Sequence, residues 1–427
     1  MTALHKIVIV GGGAGGLELV TQLGNAFAKS KTVQITLIDQ NLTHIWKPLL
    51  HEIAAGTLNA HEEEINYFAH SAAHGYEFIL GKMLHVDRTA KQIEISSSHQ
   101  SKYAAIQHRF IDYDTLIIAI GSHSNDFNTP GVRENCHFLD SREQADHFHQ
   151  DLLNLYLDAQ HQTDTRALNI AIIGAGATGV ELAAELYEAK NIFYQYGLNK
   201  IDPELVNIHL IEASPRILSA LSEQISHQTE QQLKNFGIHV HCAHRVEKVD
   251  EHYIYFANGN RIAADLSVWA AGIKAPEVLT TIEGLDYDNL NRLHVYATLQ
   301  TTQDPAIFAF GDCAHCQPIA DEPVLAPRAQ VASQQASFLV EALKSRIKGQ
   351  SLPMFKFSDK GSLVSLSQHK AIGELIGAVH VQGMLAKTMY VSLYRLHQAN
   401  VHGYTHAGVI TLKDMLARKF GPKIKLH

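Results

Sequence analysis

Two glycine triplets stand where a main chain can close around phosphate. Gly11, Gly13 and Gly16 spell G-x-G-x-x-G, and Gly174, Gly176 and Gly179 spell it again. In such a motif the first glycine permits a tight turn and the second lets the backbone approach a pyrophosphate at a helix N-terminus. The third allows close helix–strand packing. Ala14 and Gly15 complete the first loop. An acid ends the apolar run after each triplet, Asp39 after VQITLI and Glu212 after VNIHLI. Carboxylates there hydrogen-bond ribose hydroxyls, at a usual spacing of about 20 residues. Asp39 keeps close to that spacing. Glu212 comes later because YEAKNIFYQYGLNKIDPE lengthens the intervening helix and loop. An acid at 212 suits the free 2′-hydroxyl of NADH and repels the 2′-phosphate of NADPH, although Arg216 lies close enough to admit some NADPH.

Other reactive residues are less telling by themselves. Gly311 and Asp312 end the run AIFAFGD. Alone this is a turn; after two nucleotide units, an acid there suits the ribityl chain of a flavin. Cys313 and Cys316 follow as C-x-x-C. Two thiols with no second such pair do not make a zinc site, so they read as incidental, with a redox or metal role left open. Among 28 histidines, His402 and His406 share i, i+4 spacing but Gly403 intervenes. No metal site is assigned.

The elements that would hold these residues repeat. KIVIV, the first glycine loop and a helix are followed by VQITLID and by YDTLIIAIGS, which includes Ala119 and closes at Gly121. LNIAII, the second loop and its helix are followed by VNIHLIEA and by DLSVWAAGI, which includes Ala271 and closes at Gly272. Asp114 stands to Gly121 as Asp265 stands to Gly272. Short β-branched runs alternating with helices predict an α/β fold with two doubly wound, Rossmann-like parallel sheets. A polar helix is expected through about Thr165, a longer one over 326–348, hairpins over 352–377, and helix again from Met384.

Bulk properties narrow the classes. A chain of 427 residues exceeds one core and predicts two or three domains. A net charge of −8 argues against nucleic acid as partner. Four cysteines do not make a disulfide framework. The N-terminal residues show no secretory signal pattern, and no run of about 18 apolar residues suggests a membrane span.

The order of these motifs resembles the pyridine-nucleotide–disulfide oxidoreductase superfamily over nearly the whole chain. Within it, HIWKPLLHEIAAGTL (44–58), APRAQVASQQA (326–336) and SDKGSLVSLSQHKAIGEL (358–375) look like the type II NADH:quinone oxidoreductases. The resemblance implies an NADH domain (166–275) inserted in a FAD domain (1–165 and 276–349), with a C-terminal hairpin and amphipathic membrane-binding region (350–427). It implies a respiratory flavoenzyme that oxidises NADH and reduces ubiquinone or menaquinone through FAD without pumping protons. Lys47 and Pro48 would lie beside the isoalloxazine, with Met83 also in the cofactor set. Ala329 and Gln330 would set a helix N-terminus at the pyrimidine end of the flavin, stabilising its reduced anion. Gln330 and Gln334 share a helix face and would border the quinone. Glu181 is either a favourable acid in a first helical turn or, by the resemblance, a group at the nicotinamide–flavin junction that orients the cofactor or shuttles protons.

At the C-terminal end, Leu385, Met389, Leu393 and Leu396 fall near one helical face, and Val409, Leu412, Leu416 and Phe420 near another. From Lys413 onward, basic residues dominate an otherwise acidic chain. This fits a helix lying on an anionic membrane surface or, alternatively, a dimer or interdomain surface. A peripheral protein on the cytoplasmic face of a bacterial inner membrane, as a homodimer, is expected. The rivals are a sulfide:quinone reductase, a reductase of an iron–sulfur protein, and a flavin-bearing NADH sensor. Cys136 and Cys242 fall in neither place a sulfide-attacking pair would occupy.

Overall fold

The computed structural model describes residues 4–96, 108–161, 166–367, 370–375, 379–420 and 424, with the side chains of 406 and 414–420 outside that description. The KIVIV run forms β1 (His5–Val10) and the glycine loop opens α1 (Ala14–Phe27). The chain continues through β2 (Val33–Asp39), a short helix α2 (Leu50–Ala54), β3 (Glu77–Leu80) and β4 (Thr115–Ile118). A long crossover helix α3 (Arg142–His161) leads to the second unit. There β5 (Leu168–Ile173), α4 (Ala177–Gln195), β6 (Val206–Ile211), β7 (His239–His241) and β8 (Leu266–Trp269) repeat the plan. Strand β9 (Ile307–Ala309) then returns to the first sheet.

The first sheet has the order β9-β4-β1-β2-β3 and the second β7-β6-β5-β8, with every pairing parallel. Strands covered on both faces can be apolar throughout; Ile7, Ile9, Leu37, Ile38, Ile117, Ile172 and Leu210 are all fully buried. In both sheets the first strand sits beside the fourth, so a crevice opens where strand order reverses, at the carboxyl ends. The glycine turns lie there. The expected lengthening between Gly179 and Glu212 is real: α4 runs to Gln195, and a loop with a 3₁₀ turn at Pro203–Leu205 follows.

The helix α5 (Ala329–Ile347) packs along α1. A three-stranded antiparallel meander comes next, β10 (Gly361–Ser365), β11 (Ala371–Leu375) and β12 (Val379–Gln382), where hairpins were expected. Two helices follow, α6 (Gly383–His402) and α7 (Tyr404–Phe420). They break at Gly403, whose φ is +82°, so His402 and His406 do not share one continuous helix. No helix among the described residues is long and apolar enough to cross a membrane.

The single apolar stripe expected on α6 is divided. Leu385 is exposed and Met389 half-buried, while Leu393 and Leu396 border the central cleft. The cause is the neighbouring face of the same helix, whose polar residues are drawn inward to the nucleotide-binding units. On α7, Val409 and Leu412 are exposed; Leu416 and Phe420 lie outside the described side chains.

Candidate active site

The two glycine turns are built alike. Gly11 and Gly174 have φ of +101° and +108°, a region that disfavours side chains. A Cβ on Gly16 would lie 1.9 Å from the Gly11 carbonyl oxygen, and one on Gly179 the same distance from that of Gly174. Only glycine fits these crossings. At Gly13 and Gly176, by contrast, a Cβ would meet nothing within 4 Å, so their backbone is open to a ligand at the N-termini of α1 and α4. The acids also match. Asp39 accepts from Gly12 N at 2.7 Å and Asn41 N at 2.8 Å; Glu212 accepts from Ala175 N at 2.9 Å and Ser214 N at 2.8 Å. Each carboxylate thus tethers its own glycine loop. Burial raises the proton affinity of Asp39, and the two amides oppose that rise.

A cleft of about 1670 Å³ runs between the two units. That exceeds the roughly 300–1,000 Å³ usual for small-molecule sites, as an extended dinucleotide requires. Gly11, Gly13, Ala14, Gly15, Gly16, Asp39, Lys47, Pro48, Ala119, Gly121, Gly311, Asp312, Ala329, Gln330 and Gln334 all border it. The second turn reaches the same cleft through Ala177, Thr178 and Glu181. Gly174, Gly176, Gly179, Glu212, Ala271 and Gly272 stand behind it, in and beside the second turn. Met83 does not border the cleft. Its side chain is buried in the core, and its neighbour Lys82 is the residue that faces the cavity.

Around the first turn the polar groups hold one another. Lys47 donates to the Ser122 carbonyl at 2.9 Å and to Asp140 at 3.0 Å. Ser122 donates its hydroxyl to Asp312 at 2.8 Å. The Gly311 amide donates to Gln335 on α5 at 2.8 Å. Gln330 and Gln334 show a further use beside the one expected. Gln330 receives Lys360 N at 2.9 Å and gives to Gly361 O at 3.0 Å; Gln334 receives Ser358 N at 3.0 Å and gives to Ser358 O at 2.8 Å. Both amides therefore clamp the 358–361 segment to α5. Each keeps one N–H and one lone pair for a ligand.

The motif extends one step further than the glycines. Two residues beyond each third glycine comes a buried glutamate, Glu18 on α1 and Glu181 on α4. Helix α6 supplies partners to both. Glu181 accepts from Ser365 N at 3.0 Å and from the Tyr390 hydroxyl, with His51 Nδ1 at 3.6 Å. Burial raises its proton affinity, and His51 opposes the rise. Glu18 meets His397 Nδ1 at 2.7 Å, the Ser333 hydroxyl at 2.7 Å and the Asn400 amide at 3.3 Å. His397 Nε2 lies 3.2 Å from His44 Nε2, and His44 Nδ1 lies 2.9 Å from the Gly12 carbonyl. Burial drives the His44 pKa down to about 3, so His44 stays neutral.

Deeper still, Glu185 accepts from the Thr57 hydroxyl at 2.8 Å, beside Glu52 and His51. Its pKa rises to about 7, through burial first and Glu52 second. The cysteines of the C-x-x-C are buried, and burial pushes both thiols up to about 12. Neither is a thiolate at neutral pH, the form that redox and metal chemistry use.

Two nucleotide-binding units that open on one cleft define an oxidoreductase of the two-dinucleotide flavoprotein class. Residues 5–336 match the pyridine nucleotide-disulphide oxidoreductase family. The type II NADH:quinone oxidoreductase of Haemophilus influenzae is 42% identical, covering 99% of this chain and 100% of its own. That of Staphylococcus aureus is 28% identical over 87% of this chain and 90% of its own. Among solved structures, NDH2 from Plasmodium falciparum in complex with NADH superposes with a TM-score of 0.85 at 20% identity, over 99% of this chain and 100% of that one. The chain belongs to the pyridine nucleotide-disulphide oxidoreductases and, among them, to the type II NADH:quinone oxidoreductase family.

Proposed function

We propose that the protein oxidises NADH and reduces a membrane quinone by way of FAD, without moving protons across the membrane. The observation that carries this is the shared cleft: the Gly13–Gly16 turn and the Ala177–Glu181 turn face one cavity, so the reacting ends of two dinucleotides can meet. The open backbone at Gly13 and the tethered Asp39 fit a FAD pyrophosphate and ribose. Ser122, Asp312 and Lys47 would hold the ribityl and ring portion. When bound there, FAD accepts two electrons from NADH and delivers them to the acceptor. Residues 1–165 and 276–349 serve as the FAD domain, and 166–275 as the NADH domain.

The chain's own groups have separable tasks. Glu212 selects the free ribose of NADH. Quinone reduction by NADH consumes one proton from solution, and burial raises the proton affinity of Glu181 beside the cleft, which suits it to relay that proton. Tyr390 fixes the carboxyl's position. Gln330 and Gln334 clamp the 358–361 segment and offer their remaining N–H groups to the acceptor's oxygen. Leu393 and Leu396 give the cleft an apolar wall suited to a quinone ring and tail.

The exposed apolar residues of α6 and α7 and the basic C-terminal sequence support attachment to an anionic membrane surface, on the cytoplasmic face of a bacterial inner membrane. A homodimer would draw on the same apolar area. Anaerobic addition of NADH should bleach the flavin band of the purified protein, and a short-chain quinone should restore it. Bleaching without recovery would point to another acceptor, and an unbleached flavin would overturn the assignment of NADH as donor.

A further inference from the structure

Away from the cleft, three metal-ligating side chains converge on one point. His147 and Asp151 are one turn apart on α3. His137 reaches them from the edge of the second sheet. The backbone of His137 is locked there: its N–H donates to Ser267 O at 2.8 Å, and its carbonyl accepts from Trp269 N at 2.8 Å. It thus forms a parallel bridge to Val268 of β8. The platform is rigid before any ligand arrives.

The distances are informative. His137 Nε2 lies 3.4 Å and His147 Nε2 3.5 Å from the same oxygen, Asp151 Oδ2. The donor atoms of all three residues lie within 4.8 Å of one another. An N–H···O bond is usually 2.7–3.2 Å, so both contacts are long for hydrogen bonds. They match another geometry. Around zinc, with bonds of about 2.0–2.2 Å to nitrogen and oxygen, tetrahedral donor atoms stand roughly 3.3–3.5 Å apart. The two imidazole rings meet at 74° with centroids 5.6 Å apart, edge to face rather than stacked, which leaves both nitrogens aimed at the shared oxygen. His147 is exposed and His137 half-buried, so a fourth position faces solvent.

We propose that His137, His147 and Asp151 form a site for a late first-row divalent cation, with zinc as the natural occupant, water as the fourth ligand and α3 fastened to the edge of β8. Imidazole and carboxylate donors in a tetrahedral arrangement suit zinc; copper and nickel would compete for the nitrogens. The helix so fastened is the crossover between the two nucleotide-binding units, and the site needs nothing from the flavin chemistry.

The test uses the full-length, FAD-loaded protein freed of metal by chelation and titrated with zinc chloride in a calorimeter. Magnesium chloride is the control, because a nitrogen-rich site should ignore it. His147→Gln and Asp151→Asn alter partly or largely exposed side chains, and unchanged flavin content and melting midpoint without metal will show that each variant is folded. The expected result is a zinc equivalent per chain that weakens at least tenfold in both variants, with a zinc-induced rise in melting midpoint in the parent alone. If zinc fails to bind, or binds identically in both variants, the site does not exist and the chain's other histidines account for any uptake.

Discussion

Glu185 shows how a single buried acid can leave a thermodynamic mark. Its ordinary value of 4.5 becomes about 7 in the fold, through burial and the neighbouring Glu52. A carboxyl whose folded pKa is raised stabilises the fold below its unfolded value, and that contribution is lost as pH climbs through the folded value. The parent should therefore lose stability relative to Glu185→Gln between about pH 4.5 and 7, by roughly 3 kcal/mol. Denaturant titrations at pH 5 and pH 8 will measure it; a parent–variant gap that does not widen with pH would show that Glu185 stays ionised in the fold. Glu212→Ala, which removes the tether on the second glycine loop, should weaken NADH binding at least tenfold and leave flavin content intact. Equal loss of both would mean the two nucleotide units are assigned in the wrong order. The glycines and the two strand-ending acids were legible because each answers to a local rule of turn geometry and spacing. Glu18 was not, although it stands at the same offset in the first motif as Glu181 in the second. Its importance depends on His397, far away in sequence, and spacing does not encode such a partner. Gln330 and Gln334 were read correctly as one helix face, but their clamp on 358–361 needs the meander to be in place.

Helix α6 binds the molecule's two halves to its C-terminal region. Tyr390 and His397 are seven residues apart, two helical turns on one face, and they meet the glutamates behind the second and first glycine turns. Removing the chain beyond Gly383 would take these partners, and the cover they provide, from both carboxylates. The first turns of α1 and α4, which carry these carboxylates, would then lose the contacts that hold them. Such a truncation should therefore lose FAD, contrary to the simpler picture in which the C-terminal region is only an anchor. His397→Ala isolates the effect: flavin retained after gel filtration should fall several-fold, while His402→Ala at the end of the same helix should leave it near the parent level. If His397→Ala keeps its flavin fully, the pair is a packing feature and not a support for the first turn. Most of the parallel strands, both glycine turns and the C-terminal hairpins were anticipated from apolar runs and glycine placement, since those patterns are set locally, whereas α2, β3 and β7 were not. The inward face of α6 was missed because Leu385, Leu393 and Leu396 form a stripe whose apolar character masks the polar face that decides the docking.

For the molecule as a whole, the division of α6 separates two properties that a truncation would confound. Leu385, Val409 and Leu412 are 65%, 68% and 60% exposed and contribute to neither glutamate, whereas Leu393 and Leu396 border the cleft. A chain of net charge −8 gains nothing overall from an anionic bilayer, so attachment is expected to draw on exposed apolar side chains such as these and on the basic residues that begin at Lys413. Substituting Leu385→Asp, Val409→Asp and Leu412→Asp together should then reduce co-flotation with anionic lipid vesicles at least tenfold. Turnover with a water-soluble short-chain quinone should stay within a factor of two, because the cleft is untouched. Raising the salt should weaken the parent's attachment in part and not abolish it, since screening acts on the charges and leaves the apolar contact. Vesicle binding that survives the triple substitution would locate the membrane contact elsewhere. A parallel loss of soluble turnover would instead show that the exposed face and the cleft form one cooperative structure.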